Sequence, residues 1–487
     1  MTTWAAQLVG TELNLSSAEP QDRSAAADRA RLQRVAERRS RVQILCHRGA
    51  GELFHENTLE AYRASLELGA DGNEIDIRAT SDGVLVCFHD DMLDRLLWGF
   101  GDVESLPWDA LRRLPFRNPG RLAADCRIPT LEEVLALHRQ HAGLLHLDIK
   151  RPGLEQPIIE LLDRLQMWEH VVHCNRDHSE RILADPRLRL GRYKGSLYQD
   201  RAEVFPDAIR AMLEKPGDSL IVDDPRGVMR VLGRQQGPVI SRPIKPHAEG
   251  ARDLDATRLE PEEIVRGLRD AADWNKPGAP DSDEQRAAHI VRRARLADEV
   301  LRHRTVTKEI REALSERVRN RSLHRHWLVH GLDGAIALRS LLQLRMPDAV
   351  EIARAALWRD DPALEPVVNR QFQNPRAWTD FRLKMVVFPA LAECPGAPSE
   401  LLCRDYLALS DRDATQLGPA LFEDAARALL AISPNTTTAQ ELLRHRLPAV
   451  RGRTILDCLA RIDEPWTKSA LQADAPFALD YVVRWDE

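Results

Sequence analysis

Short apolar runs that stop abruptly at charged or imidazole side chains recur through the first half of the chain. Ile44-Leu45-Cys46 runs into His47-Arg48-Gly49, and Val84-Leu85-Val86-Cys87-Phe88 runs into His89-Asp90. A buried parallel strand reads as such a run and delivers polar groups at its carboxyl end. Asn73-Glu74-Ile75-Asp76-Ile77 sets two carboxylates two residues apart, on one face of a strand. Leu144-Leu145-His146-Leu147-Asp148-Ile149-Lys150 repeats that spacing with an acid and a lysine. Further strands are expected at 171–174, 188–193, 219–222 and 238–241, which makes eight. Helical patterns lie between them. Over 58–68, Leu59, Tyr62 and Leu66 share a face, and Gly69 supplies a stop. Thr130-Leu131-Glu132-Glu133 is a capping box that opens a helix to about residue 141. Ser81-Asp82-Gly83 is a turn. Alternating β and α units with one parallel sheet favour a closed (β/α)8 barrel.

Residues 92–127 break the rhythm. This stretch is long and irregular, with Trp98, Gly99, Gly101, Trp108, Pro115, Pro119 and Gly120. A loop of that length at the carboxyl end of a barrel is usually functional, so it reads as a small lid insertion. The stretch 260–272 reads as the last barrel helix, and 275–283 is the best linker in the chain. Beyond it the pattern is helical throughout, as over 332–344, 349–358, 383–391, 421–432 and 454–461, punctuated by prolines. Such repeated helices resemble HEAT repeats, a stack that docks more often than it catalyses. The tracts near Trp378 and Trp466 read as core. The expected division is an N-terminal tail or helix over 1–41, an α/β TIM barrel over 42–273, and a helical domain over 284–487.

Composition narrows the function classes. With 487 residues, 43% hydrophobic and 30% charged, the chain should fold as more than one domain with ample core. A net charge of −6 argues against a general nucleic-acid binder. The seven cysteines show no CxxC, and Cys46 and Cys87 fall inside buried strands, so they read as reduced core thiols. No apolar run approaches the roughly 18 residues of a membrane span. Met1-Thr2-Thr3-Trp4 does not open a secretory signal, and cytoplasm follows as the expectation. The Ala-, Arg- and Glu-rich stretch 22–41 could lay its arginines on anionic lipid, but a helix packed on the barrel bottom or a frayed tail is the commoner outcome.

The strand ends together present His47, His89, Glu74, Asp76, Asp148, Arg48 and Lys150. Glu74, Asp76 and Asp148 would supply hard oxygen ligands suited to Mg²⁺ or Ca²⁺. A single acid at a strand end more often caps a helix or pairs an arginine; three beside two histidines reverse that reading. His47 and His89 can flank a phosphodiester, one as general base and the other as general acid. Arg48 and Lys150 would neutralise the non-bridging oxygens, with Glu56 and Asn57 orienting the ligands. His146, His170, His173 and His178 read as structural.

His47-Arg48-Gly49, Glu56-Asn57-Thr58, Glu74-Ile75-Asp76, His89-Asp90 and Asp148-Ile149-Lys150 resemble, in order, the signature of the glycerophosphodiester phosphodiesterase family. The resemblance is specific from about Val42 to Lys150 and implies a TIM barrel, a divalent cation and hydrolysis of a glycerophosphodiester. It further implies two steps, in which a glycerol hydroxyl attacks phosphorus and water opens the cyclic phosphate. Asp148 stands where the family commonly has glutamate and the related sphingomyelinase D branch has aspartate. His55 stands where the family commonly has proline, and the aromatic-rich eighth-strand pattern is missing. Three readings follow: a glycerophosphodiester phosphodiesterase, a lipid-directed enzyme of the sphingomyelinase D or lysophospholipase D kind, and an inactive barrel serving as a scaffold. The substrate would be a small glycerophosphodiester or a lysophospholipid, and the helical region would offer a surface for a protein partner. An exposed apolar rim on the lid would favour the lipid-directed reading.

Overall fold

The computed structural model describes residues 25–51, 54–93, 96–97, 101–114, 116, 126–197, 206–235, 259–269, 283–303, 306–320, 322, 331–357, 381–392, 394–413 and 419–445. The expected strand at 238–241, the helix at 454–461, Trp378, Trp466 and most of the 275–283 linker lie outside them.

Seven strands form one sheet: β1 (Gln43–His47), β2 (Gly72–Ala79), β3 (Leu85–Cys87), β4 (Leu144–Ile149), β5 (Val171–Cys174), β6 (Arg192–Leu197) and β7 (Asp218–Val222). Their order is β5-β4-β2-β1-β7-β6, every neighbouring pair on that path being parallel. The Gly191 N–H, just before β6, donates to Val172 O on β5 at 2.8 Å, so the sheet curls until its two ends meet. The domain is therefore α/β with a curled parallel sheet.

Two expectations change. β3 runs antiparallel to β2, with Cys87 opposite Ile77. The turn at Ser81-Asp82-Gly83 is far too short for the dozen or more residues that a parallel crossover needs. The closing position of an eight-stranded barrel is also taken, because β7 pairs directly with β1 through Ile44 and Leu220. Among the described residues the sheet has six parallel strands rather than eight. The sixth strand begins at Arg192 rather than at 188, since Leu188 closes a turn on Asp185.

Helices cover the sheet in the expected order. α1 (Ala25–Arg39) packs Val35 against Leu45 and Leu144 at the bottom of the sheet. α2 (Leu59–Leu68) is capped by Thr58 and ends at Gly69, whose φ of 108° suits glycine. After the one-turn α3 (Trp108–Leu111), α4 (Leu131–His141) opens on the Thr130/Glu133 capping box. α5 (Glu155–Leu165), α6 (Glu180–Leu183), α7 (Pro206–Met212) and α8 (Pro225–Val231) follow. The lid turns its apolar residues inward: Leu93, Leu97, Val103, Leu111 and Phe116 are all buried with Phe54 and Phe88.

α9 (Pro261–Arg269), expected as the last barrel helix, packs instead on α10 (Asp283–His303) and α11 (Lys308–Arg319). Its apolar face, Ile264 and Leu268, belongs to the core of the helical region. That core continues through α12 (Leu332–Gln343), α13 (Ala349–Leu357), α14 (Phe381–Ala392), α15 (Ala397–Asp413), α16 (Pro419–Ile432) and α17 (Thr436–Leu443). It also takes in Met92 from the lid. No helix of the described residues is long and apolar enough to cross a membrane. Cys46 and Cys87 are buried free thiols.

Candidate active site

β1 is buried along its length and ends at His47. The chain then turns through two left-handed residues, Arg48 at φ 58° and Gly49 at φ 84°. A Cβ on Gly49 would lie 2.6 Å from the Ala61 carbonyl carbon, so only glycine lets this turn approach α2. The turn aims Arg48 back at the acids. Its backbone N–H donates to Glu74 Oε2 at 3.1 Å, its Nη1 to Glu56 Oε1 at 2.9 Å, and its Nε lies 3.0 Å from Asp76 Oδ2. Asn57, also left-handed at φ 56°, donates from Nδ2 to Asp76 Oδ2 at 2.7 Å and accepts from Tyr62 Oη at 2.5 Å. Glu56 and Asn57 thus brace Arg48 and Asp76.

Glu74, Asp76 and Asp148 bring one carboxylate oxygen each to within 4.8 Å of one another. Lys150 Nζ lies 2.7 Å from Asp76 Oδ1 and 2.6 Å from Asp148 Oδ2. The cations expected to meet phosphate are therefore also the partners of the acids. Burial and then the neighbouring Asp76 charge push the Glu74 carboxyl well above the ordinary range. Burial alone would raise Asp76 too, but Arg48, His89 and Lys150 outweigh it and hold that carboxyl down. Lys150, though desolvated, is raised by Asp76 and Asp148. Arg48 and Lys150 face these three acids and Glu56, so carboxylates outnumber cations, an excess that the raised Glu74 carboxyl eases. A hard divalent cation is the other way to settle it, and this all-oxygen donor set fits Mg²⁺ or Ca²⁺.

Both candidate histidines carry a carboxylate on Nδ1. His47 Nδ1 is 2.9 Å from Asp223 Oδ1, and His89 Nδ1 is 2.8 Å from Asp90 Oδ1. Such a bond fixes the ring and leaves Nε2 for proton transfer. Asp223 follows the apolar end of β7, the same strand-end signal that marks Glu74 and Asp148. Its pairing with His47 was nevertheless not legible, because the two are 176 residues apart. The antiparallel β3 is what delivers His89, since the Phe88 N–H donates to Asp76 O at 3.1 Å. Arg78 Nη2 then donates to His89 O at 2.8 Å and meets Asp91, while its Nη1 meets Glu104 in the 92–127 segment.

Strand register extends the site beyond the expected residues. His47 pairs with Glu74, Glu74 with His146, and His146 with His173. These four side chains form one row across β1, β2, β4 and β5. His170 lies outside this row, buried with Nδ1 2.7 Å from Gly143 O, the structural part expected of it.

Residues 47–182 match the model of the glycerophosphoryl diester phosphodiesterase family. The match takes in every expected site residue, while Asp223, β6, β7 and the helical region fall outside it. A glycerophosphodiester phosphodiesterase of Caldanaerobacter subterraneus is 34% identical over 141 residues, 28% of this chain and 58% of the relative. Human glycerophosphodiester phosphodiesterase 1 is 35% identical over 153 residues, 30% of this chain and 46% of the relative. The chain thus spans about half the length of these two relatives. A crystal structure of a glycerophosphodiester phosphodiesterase from Agrobacterium tumefaciens aligns with a TM-score of 0.33 at 20% identity, over 39% of this chain and 99% of that one.

Proposed function

We propose that the chain is a phosphoric diester hydrolase that cleaves a glycerophosphodiester to glycerol 3-phosphate and an alcohol. The observation that carries this reading is the convergence of Glu74, Asp76 and Asp148 beside His47, within a segment that matches the phosphodiesterase family. Glu74, Asp76 and Asp148 would hold Mg²⁺ or Ca²⁺, which when bound polarises the phosphoryl oxygens and offsets charge in the transition state. Arg48 and Lys150 orient the diester and share its charge with the carboxylates they already touch. His47 and His89 each hold or release a proton at Nε2, one toward the attacking hydroxyl and one toward the leaving alkoxide. Asp223 and Asp90 keep the two rings in the tautomer this requires. Glu56 and Asn57 act through Arg48 and Asp76 rather than on the substrate.

The inward-facing Leu93, Leu97, Val103, Leu111 and Phe116 support a small substrate over a lysophospholipid. The helical region is read as a HEAT-like stack that docks a protein partner, and Met92 ties it to the lid. Free buried thiols fit a cytoplasmic protein. The test is a substrate panel of glycerophosphocholine and lysophosphatidylcholine with Mg²⁺ or Ca²⁺. Release of glycerol 3-phosphate from the first is the expected result. Turnover of the second alone would favour the lipid-directed enzyme, and inertness toward both would favour the scaffold.

A further inference from the structure

The row His47, Glu74, His146, His173 continues past the metal triad for two residues that the proposed reaction does not use. His146 lies on the strand face of Asp148, two residues away, and directly opposite Glu74. Its ring is 5.4 Å from the His173 ring and 5.6 Å from the Tyr193 ring, which in turn lies 5.8 Å from His173. His146 is only 9% exposed, yet its buried Nδ1 has no hydrogen-bond partner. An unmet buried imidazole nitrogen is destabilising, so it marks a place where a partner is expected. The other groups of the layer are already paired: His173 Nε2 is 2.6 Å from Ser219 Oγ, and Tyr193 Oη is 2.5 Å from Ser196 Oγ. Tyr193, on the β6 side of the layer, is 46% exposed.

The chemistry of this layer is uncharged. It holds two imidazoles, a phenol and a hydroxyl. Beyond Glu74 the layer has no carboxylate that would receive an ammonium group. The three-acid cluster is the only metal-like group among the described residues, so the two histidines are not a second metal centre. What suits such a layer is a neutral group that can both donate and accept hydrogen bonds.

We propose that His146, backed by His173 and Tyr193, forms a subsite for an uncharged, hydroxyl-bearing alcohol substituent of the phosphodiester. This rests on the phosphodiesterase reading and adds the residues that choose among diesters. His146 Nδ1 meets a substrate hydroxyl, and the rings of His173 and Tyr193 wall the group in.

The test compares wild type, His146→Leu and His146→Gln on two diesters. Glycerophosphoglycerol carries hydroxyls on both alcohols, and bis(p-nitrophenyl) phosphate carries none. The expected result is a rise in KM for glycerophosphoglycerol of about tenfold in His146→Leu, the size of one lost hydrogen bond. The loss on bis(p-nitrophenyl) phosphate should be several-fold smaller, and His146→Gln should recover part of the first effect. An equal loss on both diesters, in a variant with wild-type circular dichroism, overturns the proposal and makes His146 a support for the metal site. A wild-type protein inert on both diesters sinks the phosphodiesterase reading instead. The subsite is then read by calorimetry, from whether His146→Leu weakens glycerol 3-phosphate binding more than that of inorganic phosphate. Equal weakening, or none, overturns it.

Discussion

Asp76 in the sheet domain and Asp333 in the helical region are both fully buried aspartates facing arginine. Asp333 accepts from the Ser322 N–H at 3.0 Å, from Ser322 Oγ at 2.5 Å and from the Gly334 N–H at 2.9 Å. Arg293 and Arg317 approach it at 3.2 and 3.5 Å. Donors close around this one carboxylate, and the charge is used to fix where α10, α11 and α12 cross. Asp76 differs in its neighbours: two more carboxylates lie within 4.8 Å, and one of them is driven toward protonation. Buried charge is therefore not what distinguishes the two places. The difference is whether the acids have been left short of cations.

The largest effect that sharpens this comparison is at Asp148. If its task is to hold a cation, charge matters first and reach second, with an oxygen needed within about 2.0–2.6 Å of the ion. Activity should fall from Asp148 to Asp148→Glu to Asp148→Asn, the last losing the charge and the first substitution adding a methylene that displaces the oxygen. Activity titrated against Mg²⁺ and Ca²⁺ measures this. An Asn variant equal to the parent in both rate and metal dependence would remove Asp148 from the ligand set.

At Asp333 the same kind of change should behave differently. Asp333→Ala strands Arg293 and Arg317 in the core and should cost about 3–5 kcal/mol of stability. The affinity of the folded protein for divalent metal should not move. Urea unfolding and metal titration separate the two quantities. A metal affinity that falls with stability would mean that the regions are not independent.

Smaller and spread over a pH range is the effect of four buried histidines of the sheet domain, His138, His146, His170 and His173. Burial lowers His138 and His146 to about 4 and His170 and His173 to about 3. The unfolded chain takes up these protons near 6.5 and the fold does not, so their contribution is complete above pH 6.5 and is lost as pH falls toward 4. Glu74 has the opposite sign. Its raised carboxyl favours the chelated fold below 4.5 and withdraws that support as pH rises. Four groups outweigh one, so chelated protein should be less stable at pH 5 than at pH 7 by urea unfolding. Equal stability at the two values would place those imidazoles in contact with water.

Much of the site could be read from the chain because the expected acids alternate with apolar residues along short strands. Glu74, Asp76, Asp148 and Lys150 needed only the two-residue period of a strand, and Thr130 and Gly69 needed only their capping chemistry. The rest depended on pairing, which periodicity does not encode. Three residues, Leu85–Cys87, make a strand in either direction, and only the length of the preceding turn decides. The apolar face of α9 suits the sheet and the helical core equally, and Ile264 and Leu268 joined the latter. His146 read as structural because its row with His47 and Glu74 exists only once β1, β2 and β4 are in register.

If the carboxylates are short of positive charge, phosphodiester hydrolysis waits for a divalent cation. The most direct test is glycerol 3-phosphate release from a glycerophosphodiester by protein treated with EDTA, before and after Mg²⁺ or Ca²⁺ is restored. Turnover should fall by about a hundredfold or more on chelation and return with the metal. Undiminished turnover in EDTA would contradict the account.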